Sequence, residues 1–391
     1  MRAAFACLAL AAGLSTCPSR AQEQAPRWTV AAATDLLDAI AAARAEGLDP
    51  RDYEPEELRR AIGSGAGPAL DAVASGRFIH LARDYTQGHV GPEDRLSWFI
   101  VGPALSKAAG EALMQRALGG ERIRPLLAEL LPSDQRYVRL RAALAKTSAG
   151  DAKRLQAIRV NMERWRWLPR ALGARRLETN VPSYSVTFYD EGRAVAMHRV
   201  ITGKPSTPTP QFSATVTGMI VNPWWEVPKS IVAESIGKLI RTQPATARAR
   251  GYVWANGAVR QRPGPTNSLG QIKLVMPNPF SIYLHDTPSK ALFQRPVRAL
   301  SHGCVRTENP FDLAALLLAG QAGQSRADLD RLLASGQTEK IDLAAPLPVY
   351  VVYFTAEADG GGKLLTYPDI YGRDDVVAAE LVDRGALDFA G

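Results

Sequence analysis

Near residue 176 the hydrophobic period of this chain changes, and that change limits the fold more than any other feature. Upstream, apolar residues recur at helical spacing. "TDLLDAIAAARAEGLDP" (34–50) sets Leu36, Leu37, Ile40 and Ala41 on one face, with Thr34 and Asp35 as N-cap candidates, Gly47 at its end and Pro50 just beyond. "EELRRAI", "GPALDAVASGRFIHLARDY" and "IRPLLAELL" repeat the pattern, and "DAKRLQAIRVNMERWRWLP" places Leu155, Ile158 and Met162 together before Pro169 ends it. Downstream the apolar residues alternate. Tyr184, Val186 and Phe188, a turn at Asp190-Glu191-Gly192, then Val195, Met197 and Arg199 read as a hairpin. "SIYLH" and "PVYVVYFTA" read as further strands, separated by Pro/Gly-rich loops such as "VRQRPGPTNSLGQ". One helix interrupts them, with Asn309 as cap, Pro310 in its first turn, Leu313, Leu316 and Leu317 as its apolar face and Gly320 closing it. The expectation is an α+β chain: a helical domain over 22–176, a mostly β domain over 177–356 and an extension over 357–391.

The first 26 residues differ in character. Arg2, the apolar run 3–14 and the small-x-small triplet Ser19-Arg20-Ala21 form the pattern of a secretory signal peptide over 1–21, too short to span a membrane. A lipoprotein signal ending at Cys17 fits less well, because Thr16 stands where glycine or alanine is expected. Cleavage after Ala21 removes Cys7 and Cys17, so Cys304 becomes the sole thiol and an internal disulfide is excluded. In an oxidising compartment such a thiol is buried or used. The formal charge of +8 drops to +6 with Arg2 and Arg20 gone, and it is dispersed rather than blocked. That excess suits an anionic polymer or surface, or solubility alone, and no nucleic-acid motif accompanies it.

Cys304 sits in "ALSHGCVRTENP" (299–310), and two of the five histidines, His285 and His302, precede it within 20 residues. A thiol with an ordinary pKa of about 8.5 is mostly protonated at neutral pH and needs a base to become a nucleophile. An imidazole within reach takes the proton, keeps thiolate beside imidazolium, and later returns the proton to a leaving amine. Gly303 lets backbone approach a substrate, and the turn can aim amides at a developing oxyanion. The parts amount to an acyl-transfer site, with the choice between the two histidines left open. A zinc site from Cys304, His285, His302 and Asp286 has suitable ligand types but weak spacing, and a buried apolar cysteine is the plain alternative. "GKPST" at Gly203 fails as a phosphate loop, because His198 stands where its first glycine belongs and Pro205 follows the lysine. Trp224, Trp225 and Trp254 are candidates for a substrate groove or for core. Trp165 and Trp167 are expected to cement the helical and β domains together. His80, His89 and His198 are expected in structural or surface roles.

"IYLHDTP" (282–288), sixteen intervening residues between His285 and His302, and "SHGCVR" (301–306) resemble the signature of the L,D-transpeptidases, the YkuD-type catalytic domain. The likeness extends through "IVNPWWEVPKSI", "RQRPGPTNSLGQIKLVMPNP" and "DIYGRD", and back to "NMERWRWLP", as in the larger periplasmic branch with a helical scaffold. The resemblance implies a periplasmic enzyme of peptidoglycan with Cys304 as nucleophile and His285 as base. Asp286 would help orient the imidazole through a backbone carbonyl, His302 and Gly303 would shape the oxyanion pocket, and Ser301 and Arg306 would line or brace it. Tyr283 joins the three tryptophans as a groove candidate. The implied reaction breaks the L,D bond of a tetrapeptide stem, releases D-alanine and passes the thioester to an acceptor amine, cross-linking third-position diamino acids. The implied partners are donor and acceptor stems, with no metal or organic cofactor and with carbapenems as acylating inhibitors. Resolution by water or a free D-amino acid would instead give a carboxypeptidase, an endopeptidase or an exchange enzyme. An inactive wall-binding scaffold is the non-enzymatic alternative. Two departures stand out: no room for a peptidoglycan-binding module before "NMERW", and a capping segment over 230–260 that looks short.

Overall fold

The computed structural model describes residues 27–321 and 324–381. The signal-peptide reading, with Cys7 and Cys17, lies outside them, as do residues 382–391 of the expected extension.

Seven helices come first: α1 (Val30–Ala42), α2 (Pro55–Gly63), α3 (Pro68–Gln87), α4 (Lys107–Leu118), α5 (Ile123–Ala128), α6 (Gln135–Lys146) and α7 (Ala152–Arg166). Helix α1 starts a turn earlier than its sequence signals imply. Ala31–Ala33 are strong helix formers and extend it back to Thr29, whose hydroxyl accepts the Ala32 N–H at 3.1 Å. Thr34 therefore lies inside the helix and donates to the Val30 carbonyl. Asp35 caps a different helix, accepting the Ile123 N–H that opens α5 at 2.7 Å.

Helix α7 begins exposed, and its second half, from Ile158 on, is buried nearly all round. Its apolar residues Ile158 and Met162 face the helical core, as their spacing implied. Most of its polar groups find partners inside, although Trp165 Nε1 and Arg166 Nε do not. Glu163 accepts from the Val90 amide at 2.9 Å, Trp167 Nε1 at 3.1 Å and Arg166 at 2.8 Å. Asn161 exchanges two hydrogen bonds with Thr355, whose amide and hydroxyl each lie 2.9 Å away. Trp165 stacks on Phe354 with ring centroids 5.0 Å apart. Trp165 thus joins scaffold to β domain, while Trp167 packs edge-on against Trp98 at 5.2 Å.

The β domain is built from β1 (Arg176–Asn180), β2 (Ser185–Asp190), β3 (Arg193–Gly203), β4 (Phe212–Val221), β5 (Trp225–Glu226), β6 (Tyr252–Ala255), β7 (Ala258–Gln261), β8 (Ile272–Val275), β9 (Leu284–His285), β10 (Ala299–Ser301), β11 (Val305–Thr307) and β12 (Glu339–Val352). The main sheet has the order β10-β3-β11-β9-β8-β4-β12-β1-β2, and β2 pairs again with β3, so the sheet returns on itself. Closure leaves few free edges and encloses an apolar interior. Val186, Phe188, Val216, Met219, Leu284 and Val305 fill it. The β2–β3 hairpin forms as expected, but Val195 and Met197 face solvent at 54% and 72% exposure. The other face of β3 points inward, where Phe188 pairs with Ala196 and supplies the bulk.

Three helical pieces, α8 (Lys229–Ile231), α9 (Gly237–Thr242) and α10 (Pro244–Ala249), join the small sheet β5-β7-β6 in a cap beside the main sheet. Residues 230–260, short in sequence, thus form a folded unit with its own cluster around Trp225, Tyr252 and Val259. Helix α11 (Pro310–Leu318) follows β11, with Leu313 and Leu317 buried and Asn309 before it. Asn309 takes a left-handed conformation there and makes no side-chain cap.

Candidate active site

Strand register places the candidate residues. Strands β9 and β11 are parallel neighbours, pairing Leu284 with Val305 and His285 with Arg306, while β8 pairs Lys273 with His285. Side chains alternate across a sheet and in-register partners share a face. Leu284 and Val305 therefore enter the core, and Lys273, His285 and Arg306 form a row on the opposite face. Tyr283 and Cys304 stand two residues back on the same side. The strand-end position read for His285 and the turn read for Cys304 become one surface only through this pairing.

That surface floors a cleft of about 790 Å³ lined by Trp225, Tyr252, Tyr283, His285, Cys304 and Arg306, with the Ser301–Gly303 turn at its side. Cys304 is half-buried, its Sγ 3.8 Å from the Ser281 carbonyl. Gly303 has φ +113°, a conformation that favours glycine, and its amide donates to Ser301 Oγ at 3.1 Å. Ser301 Oγ in turn donates to the Cys304 carbonyl at 2.6 Å. Ser301 thus ties the turn from within. Thr209 ties it from outside, donating to the Gly303 carbonyl at 2.8 Å and accepting the Gly203 amide at 2.9 Å. Tyr371 extends this brace: its hydroxyl donates to the Gly203 carbonyl at 2.6 Å and accepts the Thr209 amide at 3.1 Å.

Burial sets the resting protonation. His285 is 5% exposed, and desolvation, with the nearby Arg306 and Lys273 cations, pushes its pKa down to about 3. The carbonyls of Asp286 and Leu269 favour the protonated ring, but Nδ1 remains without a hydrogen-bond partner. Burial also raises the Cys304 pKa, opposed by the Tyr283 backbone, Arg306 and Lys273. Both shifts favour the neutral thiol and imidazole over the thiolate–imidazolium pair, because ions cost more than neutral groups in this cleft.

The remaining candidates divide. His302 is exposed in the cleft wall, its Nε2 2.9 Å from Glu234 of the cap, which also meets Lys204 at 3.6 Å. The Asp286 carboxylate turns from the cleft to accept the Gln271 amide at 2.9 Å and to pair with Lys290. Of the aromatic candidates, Trp225 and Tyr283 line the cleft. Trp224 stacks on Arg260 at 4.7 Å, and Trp254 is 68% exposed on the cap hairpin; neither lines it. Lys273, Thr209 and Glu234 went unread. Lys273 had a faint signal, as the polar member of the alternating "IKLV" run, whereas Thr209 and Glu234 meet the motif only across long sequence distances. Among the described residues, Cys304, His285, His302 and Asp286 do not converge as a metal-binding group.

Fold and site together define a closed β-domain with a cysteine–histidine cleft, carried on a helical scaffold. The family models agree: residues 174–327 match the L,D-transpeptidase catalytic domain and residues 20–144 match the Scaffold domain. Residues 174–327 are thus similar to an L,D-transpeptidase catalytic domain, and they follow a stretch similar to a Scaffold domain. A Haemophilus influenzae protein named "Putative L,D-transpeptidase" is 32% identical over 240 residues, 56% of this chain and 48% of that one. The chain thus spans about half the length of this curated relative. Among solved structures, the L,D-transpeptidase from Mycobacterium smegmatis shares 13% identity over 46% of this chain and 58% of that one, with a TM-score of 0.27. L,D-transpeptidase 3 from Mycobacterium tuberculosis shares 16% identity over 46% and 61%, with a TM-score of 0.24.

Proposed function

We propose that this protein is a periplasmic peptidoglycan L,D-transpeptidase, secreted by a signal peptide cleaved after Ala21. The observation that carries the reading is the shared face of Cys304 and His285 at the floor of one cleft. The thiol proton passes to the His285 imidazole as sulfur attacks the carbonyl carbon of the L,D bond. The C–N bond breaks, the imidazolium returns its proton to the departing D-alanine amine, and a thioester remains on Cys304. An acceptor-stem amine then attacks the thioester, giving its proton through His285 back to the sulfur. The thioester conserves the acyl energy of the amide, so no cofactor enters.

Because burial favours the neutral pair, substrate binding must favour charge separation. Lys273 and Arg306 supply positive charge on the reacting face, stabilising the thiolate and the developing oxyanion and drawing the carboxylate of the D-alanine. The Gly303 amide is already committed to Ser301, so the Cys304 amide is the backbone donor left for the oxyanion. Carbapenem acylation of Cys304 would follow the same first step.

The test incubates the mature protein with disaccharide-tetrapeptides and identifies products by mass spectrometry. D-Alanine release with cross-linked dimers is expected. Tripeptide monomers alone would replace the transferase reading with a hydrolase one, exchanged tetrapeptides would indicate D-amino-acid transfer, and full activity in Cys304→Ala would overturn the mechanism.

A further inference from the structure

A second cluster of chemistry-bearing side chains lies in the helical domain, away from the cleft. His80 and Asp84 stand one turn apart on α3, a spacing that puts both on one face. The helix ends at Gln87, and Gly88, at φ +88°, turns the chain so that His89 comes back onto Asp84. A Cβ on Gly88 would fall 2.4 Å from Glu163 and 2.6 Å from Trp167, so this return depends on glycine. His89 Nδ1 lies 2.7 Å and His80 Nε2 3.6 Å from Asp84 Oδ2, and the three atoms all fall within 4.8 Å of one another. Among the described residues no other three histidine, cysteine or acidic side chains converge in this way.

We propose that His80, Asp84 and His89 bind a divalent transition cation, zinc by the chemistry of the ligands. Tetrahedral zinc with bonds of about 2.0–2.1 Å holds its ligand atoms about 3.4 Å apart, so the cluster needs adjustments of about an ångström. Two imidazoles and one carboxylate are borderline-soft donors of the kind zinc takes, leaving a fourth position for water. Outer partners are in place. Asp84 is fully buried, and both its oxygens are held: the Tyr53 hydroxyl donates to the ligand oxygen Oδ2 at 3.0 Å and Arg83 meets Oδ1 at 3.4 Å. His89 Nε2 faces Asp52 at 3.9 Å, the arrangement in which an outer carboxylate orients a ligating ring. Both histidines keep an open edge, 29% exposed for His80 and 20% for His89, through which an ion can enter. The metal would clamp the end of α3 to the segment that hands the Val90 amide to Glu163 of α7.

The test uses the tag-free mature chain, stripped with EDTA, dialysed against micromolar zinc and analysed by plasma mass spectrometry. About one zinc per chain is expected in the wild type and in Cys304→Ala, together with a zinc-dependent rise in melting temperature. His80→Ala and His89→Ala should lose the metal. Diethyl pyrocarbonate mapping of the wild type needs no variant to fold: zinc should protect His80 and His89 and leave His302 reactive. No binding in the wild type, unchanged zinc content in both histidine variants, or loss of zinc only in Cys304→Ala would each overturn the proposal. The last result would place the ion at the cleft. None of these outcomes depends on the proposed transpeptidation.

Discussion

Replacing Thr209 by valine removes one hydroxyl and keeps a branched side chain of nearly the same volume. Thr209 is fully buried, and its oxygen bridges the Gly303 carbonyl at 2.8 Å and the Gly203 amide at 2.9 Å. Valine leaves both backbone groups buried without that partner. Each unmade bond costs about 1–3 kcal/mol, and some relaxation of the loop brings the expected loss to about 2–4 kcal/mol. The internal tie through Ser301 survives, so the turn persists but loses its outer anchor, and the sulfur next to Gly303 moves. Misplacing a reacting atom by about an ångström costs on the order of a hundredfold in rate. Urea denaturation followed by tryptophan fluorescence reads the first effect, and the rate of carbapenem acylation followed by intact mass reads the second. Thr209→Ser keeps the oxygen and should recover most of both. A valine variant within about 0.5 kcal/mol of wild type that acylates at the wild-type rate would refute the brace.

Four further perturbations follow from the same geometry. Because burial raises the Cys304 pKa above 9.0, iodoacetamide alkylation should climb about tenfold per pH unit between pH 6 and 8; a plateau across that range would show a preformed thiolate–imidazolium pair. His285 has a folded pKa of about 3 against the ordinary 6.5, so the unfolded chain protonates first and stability falls as pH drops from about 6.5 toward 3, by up to about 1.4 kcal/mol per unit. His285→Asn should flatten the pH dependence of the urea midpoint, and an unchanged slope would contradict the buried neutral ring. Trp165→Ala removes the side chain stacked on Phe354 and should cost about 3–5 kcal/mol in chemical denaturation; a loss under 1 kcal/mol would mean that this contact does not join the domains. Glu234→Gln separates the cap from His302 and Lys204, so the KM for the donor stem should rise while the melting temperature stays at its wild-type value. An unchanged KM would mean that this cap contact does not serve donor binding.

The parts of the site that were legible lie close together in sequence or repeat with a clear period. "SHGC" and the strand ending in His285 carried the candidate nucleophile and base, and the resemblance chose between the two histidines that spacing alone left open. The helix caps were less legible. Thr34 and Asp35 looked like one cap, but an alanine-rich turn extended α1 past them and Asp35 capped α5, 88 residues away in sequence. The tryptophans were ambiguous for a similar reason, since an aromatic residue carries no mark of which face it will occupy: Trp225 went to the cleft, Trp254 to solvent and Trp165 to the domain contact.

By itself the sequence determined the division into a helical and a β domain, the local conformation of the Gly303 turn and the chemistry available at Cys304 and His285. Periodicity and turn residues act over a few positions, so they survive without knowledge of the fold. Only the tertiary structure decided that burial favours the neutral form of both groups, that Lys273 and Arg306 flank the base, and that Thr209 and Tyr371 hold the turn. It also brought His89 back onto Asp84 in the helical domain. Desolvation and strand register depend on what packs around a residue, and those neighbours come from segments far apart in the chain.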